Sequence, residues 1–347
     1  MIKVPPLSAG FADVPTPTRL MSLRALTLAI GLTVISCAAS AQAQDLATRV
    51  ERAVRLVDEH RFDQARRELA TLATQLPLDA RVPLAMGRVH LAERETDQAI
   101  ESLERAVDLD TTSADARLWL GRAVMERART ASVFRRPGLA KRVKAAFERA
   151  VALDPRSVDA RRALLDFYLL APSALGGGKD RARAQADSIH SLSYLRGRLA
   201  YAAIRQKQKD VAGAVQELRA ALEEYPDTVA AHYAMAELWT AAGALDSAAA
   251  AYDGLLTRWP GEYRARCELG RVWTRMDGGL ERAARALDEC LRATPDHDGP
   301  AVAEAHFAVG ALYERRGEVG RAESEYQAAL QRVPRHREAK KALEGLR

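Results

Sequence analysis

Apolar and polar residues follow one another along most of this chain with the period of a helix, and the helices come in pairs that repeat. From Ala305 the chain reads AHFAVGALYERRGEVGRAESEYQAALQRVP. Small residues stand at Gly310, Ala322 and Ala329, tyrosines at Tyr313 and Tyr326, a turn glycine at Gly317 and a terminator at Pro334. Apolar positions three and four apart put one buried stripe on each of two helices. The small residues let the two helices cross at close range, the tyrosines fill the space beside the crossing, and Pro334 stops the second helix. The spacing recurs at Met235, Ala236, Trp239, Gly243, Ala248, Tyr252 and Pro260, and again at Leu269, Gly270, Trp273, Ala283, Leu287 and Pro295. Pro226, Pro260 and Pro295 lie 34 and 35 residues apart, the extra residue falling in the loop Asp277-Gly278-Gly279. Ala214, Leu218, Ala221 and Pro226 close one earlier repeat, Met86, Gly87, Ala99, Leu103 and Ala106 mark another, and Ala65, Leu69, Leu72 and Pro77 form the first.

Two repeats depart from this spacing. In the third, Leu120-Gly121 belongs to the first helix and Phe147, Ala150 and Pro155 to the second, but the separation is about ten residues too long for a regular repeat. The excess lies between Met125 and Val143 and carries Arg127, Arg129, Arg135, Arg136, Lys141, Arg142 and Lys144. In the fourth, the first helix ends at Ala171-Pro172, and Ser173 to Gly178 connect it to a helix beginning near Asp180. A stop before proline and a restart after glycines is the usual punctuation of helices.

These positions closely resemble the consensus of the tetratricopeptide repeat (TPR) family, over residues 46 to 347. The resemblance implies an all-α, right-handed superhelical solenoid of antiparallel helix pairs. Eight repeats are expected, at about 46–79, 80–113, 114–157, 158–194, 195–228, 229–262, 263–302 and 303–336. Residues 335–347 are expected to form a charged helix covering the last pair, because a solenoid's final repeat has no neighbour. The segment LLAPSALGGGKDRARAQADSI also resembles one found in exported bacterial TPR proteins of unassigned function.

The N-terminus has a different pattern. Arg24, the apolar run Ala25 to Ile35 and small residues at Ala39-Ser40-Ala41 or Ala41-Gln42-Ala43 predict an export signal over residues 1–43, with the natural start at Met21. The apolar run is too short to span a bilayer. Val34-Ile35-Ser36-Cys37 resembles a bacterial lipobox, so lipidation of Cys37 and membrane tethering stand as the alternative to simple cleavage. Either reading predicts an envelope or secreted location: periplasmic or secreted in the first case, an outer-membrane lipoprotein in the second.

Composition adds little beyond this. Aromatics are 5% of the chain and the net charge is +6, which falls to +4 without residues 1–43, so no nucleic-acid partner is implied. Gly176-Gly177-Gly178-Lys179 lacks the following Ser or Thr and the preceding strand of a phosphate-binding loop. The seven histidines, His60, His90, His190, His232, His297, His306 and His336, show no metal-ligand spacing. No catalytic motif is present, and neither an enzyme nor a metal or other cofactor is expected. Cys267 and Cys290 lie on the two helices of one repeat and an oxidising compartment permits them to pair, but Cys290 occupies a small packing position and Cys267 is expected to face the groove. Free thiols are therefore expected over a bond.

The TPR resemblance also implies a groove lined by the first helix of each pair, at positions flanking the small crossing residue. In this chain these are Arg81, Leu84, Arg88, Leu118, Arg122, Asp159, Arg162 and Asp166, then Tyr233, Glu237, Arg264, Arg271, Arg275, Phe307, Ala311 and Arg315. Arginine dominates, which predicts an extended or helical protein segment of acidic character as partner, with the solvated face whose charges merely balance as the alternative. The basic insert 127–144, with Val133-Phe134, is the only other expected route to a membrane. The expected role is an interaction scaffold or adaptor of the cell envelope, with a substrate-binding accessory of a transport system as the alternative.

Overall fold

The computed structural model describes residues 44–346, and the stretch expected to be an export signal, including Met21 and Cys37, lies outside them. The chain divides into two units, Met1–Thr48 and Arg49–Arg347. Of the first, residues 44–48 are described and are helical. The second carries the repeats.

Helices begin where a short polar side chain can satisfy a free backbone N–H. Ser113, Ser157 and Asp298 accept hydrogen bonds from the N–H three residues on, at 3.1, 3.2 and 3.1 Å. The result is eight helix pairs. They are α1 (44–58) with α2 (Phe62–Gln75), α3 (Arg81–Ala92) with α4 (Thr96–Leu109), and α5 (Ala114–Thr130) with α6 (Arg136–Leu153). Then come α7 (Val158–Leu170) with α8 (Lys179–Leu192), α9 (Tyr194–Lys207) with α10 (Val211–Glu224), and α11 (Val229–Ala242) with α12 (Leu245–Arg258). The last are α13 (Tyr263–Arg275) with α14 (Leu280–Ala293) and α15 (Gly299–Arg315) with α16 (Val319–Arg332), followed by the covering helix α17 (Arg337–Gly345). Among the described residues there is no strand. The all-α superhelix of antiparallel pairs expected from the repeat spacing is the observed fold.

The crossings are as tight as the small residues require. A methyl group at Gly310 would come within 2.5 Å of the Tyr326 ring, and one at Gly270 within 2.6 Å of Leu287. Apolar clusters then run from pair to pair, from Ala99 through Leu165 to Ile204, and at the far end from Ala303 through Tyr326 to Ala339 of α17. No single cluster serves the whole chain, so stability is a sum over neighbouring pairs.

Both irregular repeats are visible. The excess of the third lengthens α5 and α6 at the ends that meet, with the turn at residues 131–135. In the fourth, a single 3-10 turn, Ser173–Leu175, bridges α7 and α8, and Gly177 packs so tightly on the Ala171 carbonyl that no side chain fits there. The glycine run is a helix connection.

The cysteines depart from expectation. Cys267 and Cys290 are disulfide-bonded, joining α13 to α14. Gly270, one turn after Cys267, draws α13 against α14 beside Leu287, one turn before Cys290, and that close approach brings the thiols together. Closing a loop of 23 residues contributes roughly 3 kcal/mol in the chain-entropy account. Reduction should therefore lower the denaturant midpoint of the oxidised protein, whereas a Cys267→Ser/Cys290→Ala double variant should be insensitive to reductant.

Candidate functional site

The turn between the two helices of a pair places one residue in the left-handed region. Gly243 (φ 76°) and Gly317 (φ 74°) hold it at no steric cost, but His60 (φ 60°) and Arg94 (φ 62°) hold it in the first two pairs. Both of these side chains reach the far end of the chain. Arg94 donates to Glu304 at 2.5 Å and to Glu338 at 2.6 Å. His60 Nδ1 lies 3.0 Å from Asp298, and Arg335 donates to Gln98 at 3.0 Å. The first two helix pairs therefore meet the last two, and the superhelix closes on itself through a polar clasp.

Glu304, on α15, is the centre of this clasp. Besides Arg94 it receives Arg271 at 2.8 Å, and His336 Nε2 lies 3.2 Å away. His336 is 1% exposed, and its Nδ1 accepts the Ala339 N–H at 3.2 Å to start α17, which leaves the proton on Nε2, facing Glu304. Burial alone would raise the Glu304 carboxyl, but the close approach of His336 and the hydrogen bond from Arg271 outweigh it and hold the group at about 2. Asp298 is shared in the same way: one oxygen caps α15, and the other meets His60, Tyr263 at 3.2 Å and Arg264 at 3.7 Å.

Behind the clasp the first helices α11, α13 and α15 enclose a pocket of about 590 Å³ with residues of the first two pairs. Phe62, Tyr233 and Tyr263 form its aromatic wall. Glu237, Glu268, Asp298 and Glu304 face Arg264 and Arg271 there, four carboxylates against two guanidiniums, with His60 beside them. Arg271 also reaches Glu268 at 3.2 Å, so Glu237 alone of the four carboxylates has no cationic partner among the described residues. Partial loss of hydration in the pocket, and then the charge of Glu268, push its carboxyl above the ordinary value although the side chain stays solvent-exposed. The Tyr233 hydroxyl beside it is shielded from solvent and makes no hydrogen bond, and burial raises its pKa strongly. A lining so rich in charge differs from the enclosed apolar cavity that a small lipidic ligand would require.

Of the residues expected to line one basic groove, only Tyr233, Glu237, Arg264 and Arg271 share this pocket. Three of the other six arginines are already matched by carboxylates. Arg81 pairs with Asp79 at 2.7 Å, Arg88 with Asp58 at 2.5 Å and Arg162 with Asp166 at 3.0 Å, while Asp159 pairs with Arg196 at 2.7 Å. Arg122 lies over the Trp119 ring at 4.5 Å, with Arg88 on the same indole at 4.9 Å. Arg275 and Arg315 are exposed at the ends of α13 and α15 and do not line the pocket, and Ala311 is half-buried. The expectation of an unbalanced basic face does not hold for these paired positions.

Leu118 requires correction as well: it is 3% exposed, in the core between neighbouring first helices. It stands three residues before the crossing glycine. The same position carries Leu84, packed on that core, the bonded Cys267, and Phe307, packed against Tyr326 and His336 at ring separations of 5.7 and 5.2 Å. At Leu84, Leu118 and Phe307 that position serves packing, whereas Tyr233 at the same position lines the pocket, as Arg271 does from the position just after the glycine.

The spacing also gave no notice of His90, Glu93 and Glu95, whose donor atoms lie close enough together to hold a cation. The guanidinium of Arg66 already contacts both carboxylates, so their charge is compensated by the protein itself.

The family profile described as "Tetratricopeptide repeat" matches residues 84–132, 199–263 and 277–342, more than half of the chain. No curated protein matches the sequence closely enough to be counted a relative. Among solved structures, yeast Tom70 superposes with a TM-score of 0.58 at 13% identity, over 82% of this chain and 58% of its own length. A thermophilic TPR protein of Thermus thermophilus aligns at 19% identity over 56% of this chain and 98% of its own, with a TM-score of 0.48. A tetratricopeptide repeat protein of Parabacteroides merdae aligns at 14% identity over 87% and 98%, with a TM-score of 0.44. At these identities the likeness is one of fold. With eight helix pairs formed, the crossing glycines and alanines in place and the profile matched over most repeats, the chain belongs to the tetratricopeptide repeat family.

Proposed function

We propose that this protein is an interaction scaffold of the bacterial cell envelope that holds a segment of a partner protein on the inner side of its closed superhelix, against Tyr233 and Glu237. The envelope location rests on the export pattern before residue 44. The partner site rests on one observation above others: a shielded tyrosine hydroxyl without a hydrogen-bond partner and, one turn further along α11, an exposed carboxylate without an ion-pair partner among the described residues line one pocket walled by aromatic rings. A buried polar group left unpaired costs about 1–3 kcal/mol, so a guest that accepts from the Tyr233 hydroxyl gains by doing so, and a cation it carries gains a partner in Glu237. A lysine or arginine side chain does this. Its charge meets Glu237, its stem lies along Tyr263 and Phe62, and an adjacent backbone carbonyl accepts from Tyr233.

Cross-linking and pull-down from the native envelope test this reading. Wild type is compared with a Tyr233→Phe/Glu237→Gln variant, which removes the hydroxyl and the charge while keeping shape. The captured partner should fall by tenfold or more, in line with about 1.5–3 kcal/mol for a charged hydrogen bond. An identical partner set at identical yield would remove the pocket from the function.

A further inference from the structure

The lengthened third pair ends in a tip unlike any other turn of the chain. Phe134 is 93% exposed and Val133 70%, next to each other at the apex between α5 and α6. Residues 127–144 contain seven arginines and lysines and no acid. Four of the seven are matched by neighbours: Arg127 by Asp97 at 3.3 Å, Arg129 by Glu126 at 3.3 Å, Arg142 by Glu104 and Lys144 by Glu148 at 3.5 Å. Arg135, Arg136 and Lys141 are exposed and meet no carboxylate among the described residues, Arg136 donating only to the Ala131 carbonyl at 3.1 Å. Beside Phe134 a recess of about 750 Å³ gathers Arg127, Arg135 and Arg142 with the side chains of Thr130 and Ser132.

We infer that this tip docks on the surface of an anionic phospholipid bilayer, with Phe134 and Val133 entering the headgroup boundary and the three unmatched cations resting on lipid phosphates. The charge pattern selects this occupant. An exposed aromatic ring at an apex reaches deepest into an approaching surface, and the cations that flank it remain at phosphate level, which is the arrangement of an interfacial anchor. Of the three guanidiniums on the recess, that of Arg135 meets no carboxylate among the described residues, and with Ser132 beside it the recess suits a phosphate headgroup. Among the described residues no helix is long and apolar enough to cross a membrane, so the contact is a surface one. A docked tip would hold the partner pocket, which lies in other repeats, at a fixed distance from the bilayer.

Flotation of the full chain with vesicles tests the inference. Vesicles of phosphatidylcholine alone are compared with vesicles containing roughly 30% phosphatidylglycerol, anionic enough to attract basic segments. The wild type should float with the anionic vesicles and remain behind with the neutral ones. Arg135→Gln/Arg136→Gln/Lys141→Gln should lower partitioning roughly a hundredfold, from about a tenfold change per 1.4 kcal/mol and about one such cation per kcal/mol. Phe134→Ser should lower it about tenfold while leaving the salt dependence intact. All four positions are exposed, so the melting temperatures of both variants should match wild type. Unchanged flotation in either variant would overturn the inference, since residues 1–43 are the same in all three proteins. Equal flotation on neutral vesicles would overturn it too, and so would complete competition by inorganic phosphate at constant ionic strength, which would mark a free-anion site.

Discussion

Glu304→Ala should part the two ends of the superhelix. The side chain meets groups from both ends at once, the Arg94 guanidinium from the second pair and the Arg271 guanidinium and His336 Nε2 from the last two. Removing it leaves three donors facing one another, and His336 has no access to water to compensate. Glu304 is partly exposed, so the loss falls between that of a surface pair and that of a buried one, about 1–3 kcal/mol. That is small against the summed pair-to-pair packing, which predicts a folded protein with an open ring. Small-angle scattering should show a larger radius of gyration with the helical signal unchanged. A Glu304→Gln variant separates charge from shape and should give the same expansion.

The same residue gives the clasp a pH dependence of fixed sign. Its carboxyl sits at about 2 in the folded chain against an ordinary 4.5, so the carboxylate favours closure fully above about 4.5. That contribution fades as the pH falls from 4.5 through 2. Wild type should therefore expand over that window, and Glu304→Gln, already expanded, should respond less there, through Glu338, whose carboxyl a backbone hydrogen bond and Arg94 also hold, against burial, below its ordinary value.

Ala322→Arg should have the largest effect on stability. Ala322 is fully buried where α16 crosses α15, in a cluster with Ala303, Tyr326, Ala329 and Ala339. A guanidinium there finds no carboxylate and no water, and breaking packing while burying an unpaired charge costs about 3–5 kcal/mol. Because each pair leans only on its neighbours, hydrogen exchange should accelerate in α15, α16 and α17 and stay near wild type in α5 to α8. Loss of protection confined to another repeat would contradict the register of the helix pairs. The two variants also distinguish closure from folding, since the first opens an intact solenoid and the second frays its end.

The helix pairs were legible because everything that makes a pair is local. Gly310 and Ala322 are twelve residues apart, and their spacing alone sets a crossing. The residues that close the superhelix carried no such signal. His60 and Asp298 are 238 positions apart, and Arg94 and Glu338 are 244. Their meeting depends on the rotation accumulated over eight pairs, so in the sequence His60 and Arg94 look like ordinary solvated turn residues. The one local hint was negative: both occupy a turn position that glycine fills in later repeats, and Lys209, also left-handed, shows that the hint alone is not sufficient. The arginine face was misread for a related reason. Counting charges on first helices left out Asp58 and Asp79, which lie outside the counted positions and match Arg88 and Arg81. The partner pocket was half legible, through Tyr233, Glu237, Arg264 and Arg271, because the TPR resemblance places first-helix residues in the groove. His60, Phe62 and Ala92 join it from the first two pairs, and only when the ends meet.

Closure is thus the claim on which the pocket and the scaffold reading both depend. It is tested most directly by a distance between the two ends, measured by pulsed electron resonance on spin labels at Glu101 of α4 and Lys341 of α17, both exposed and outside the clasp. A single short, narrow distance in wild type, broadening and lengthening in Glu304→Ala, is the predicted result. A broad distribution in wild type that the substitution leaves unchanged would contradict it.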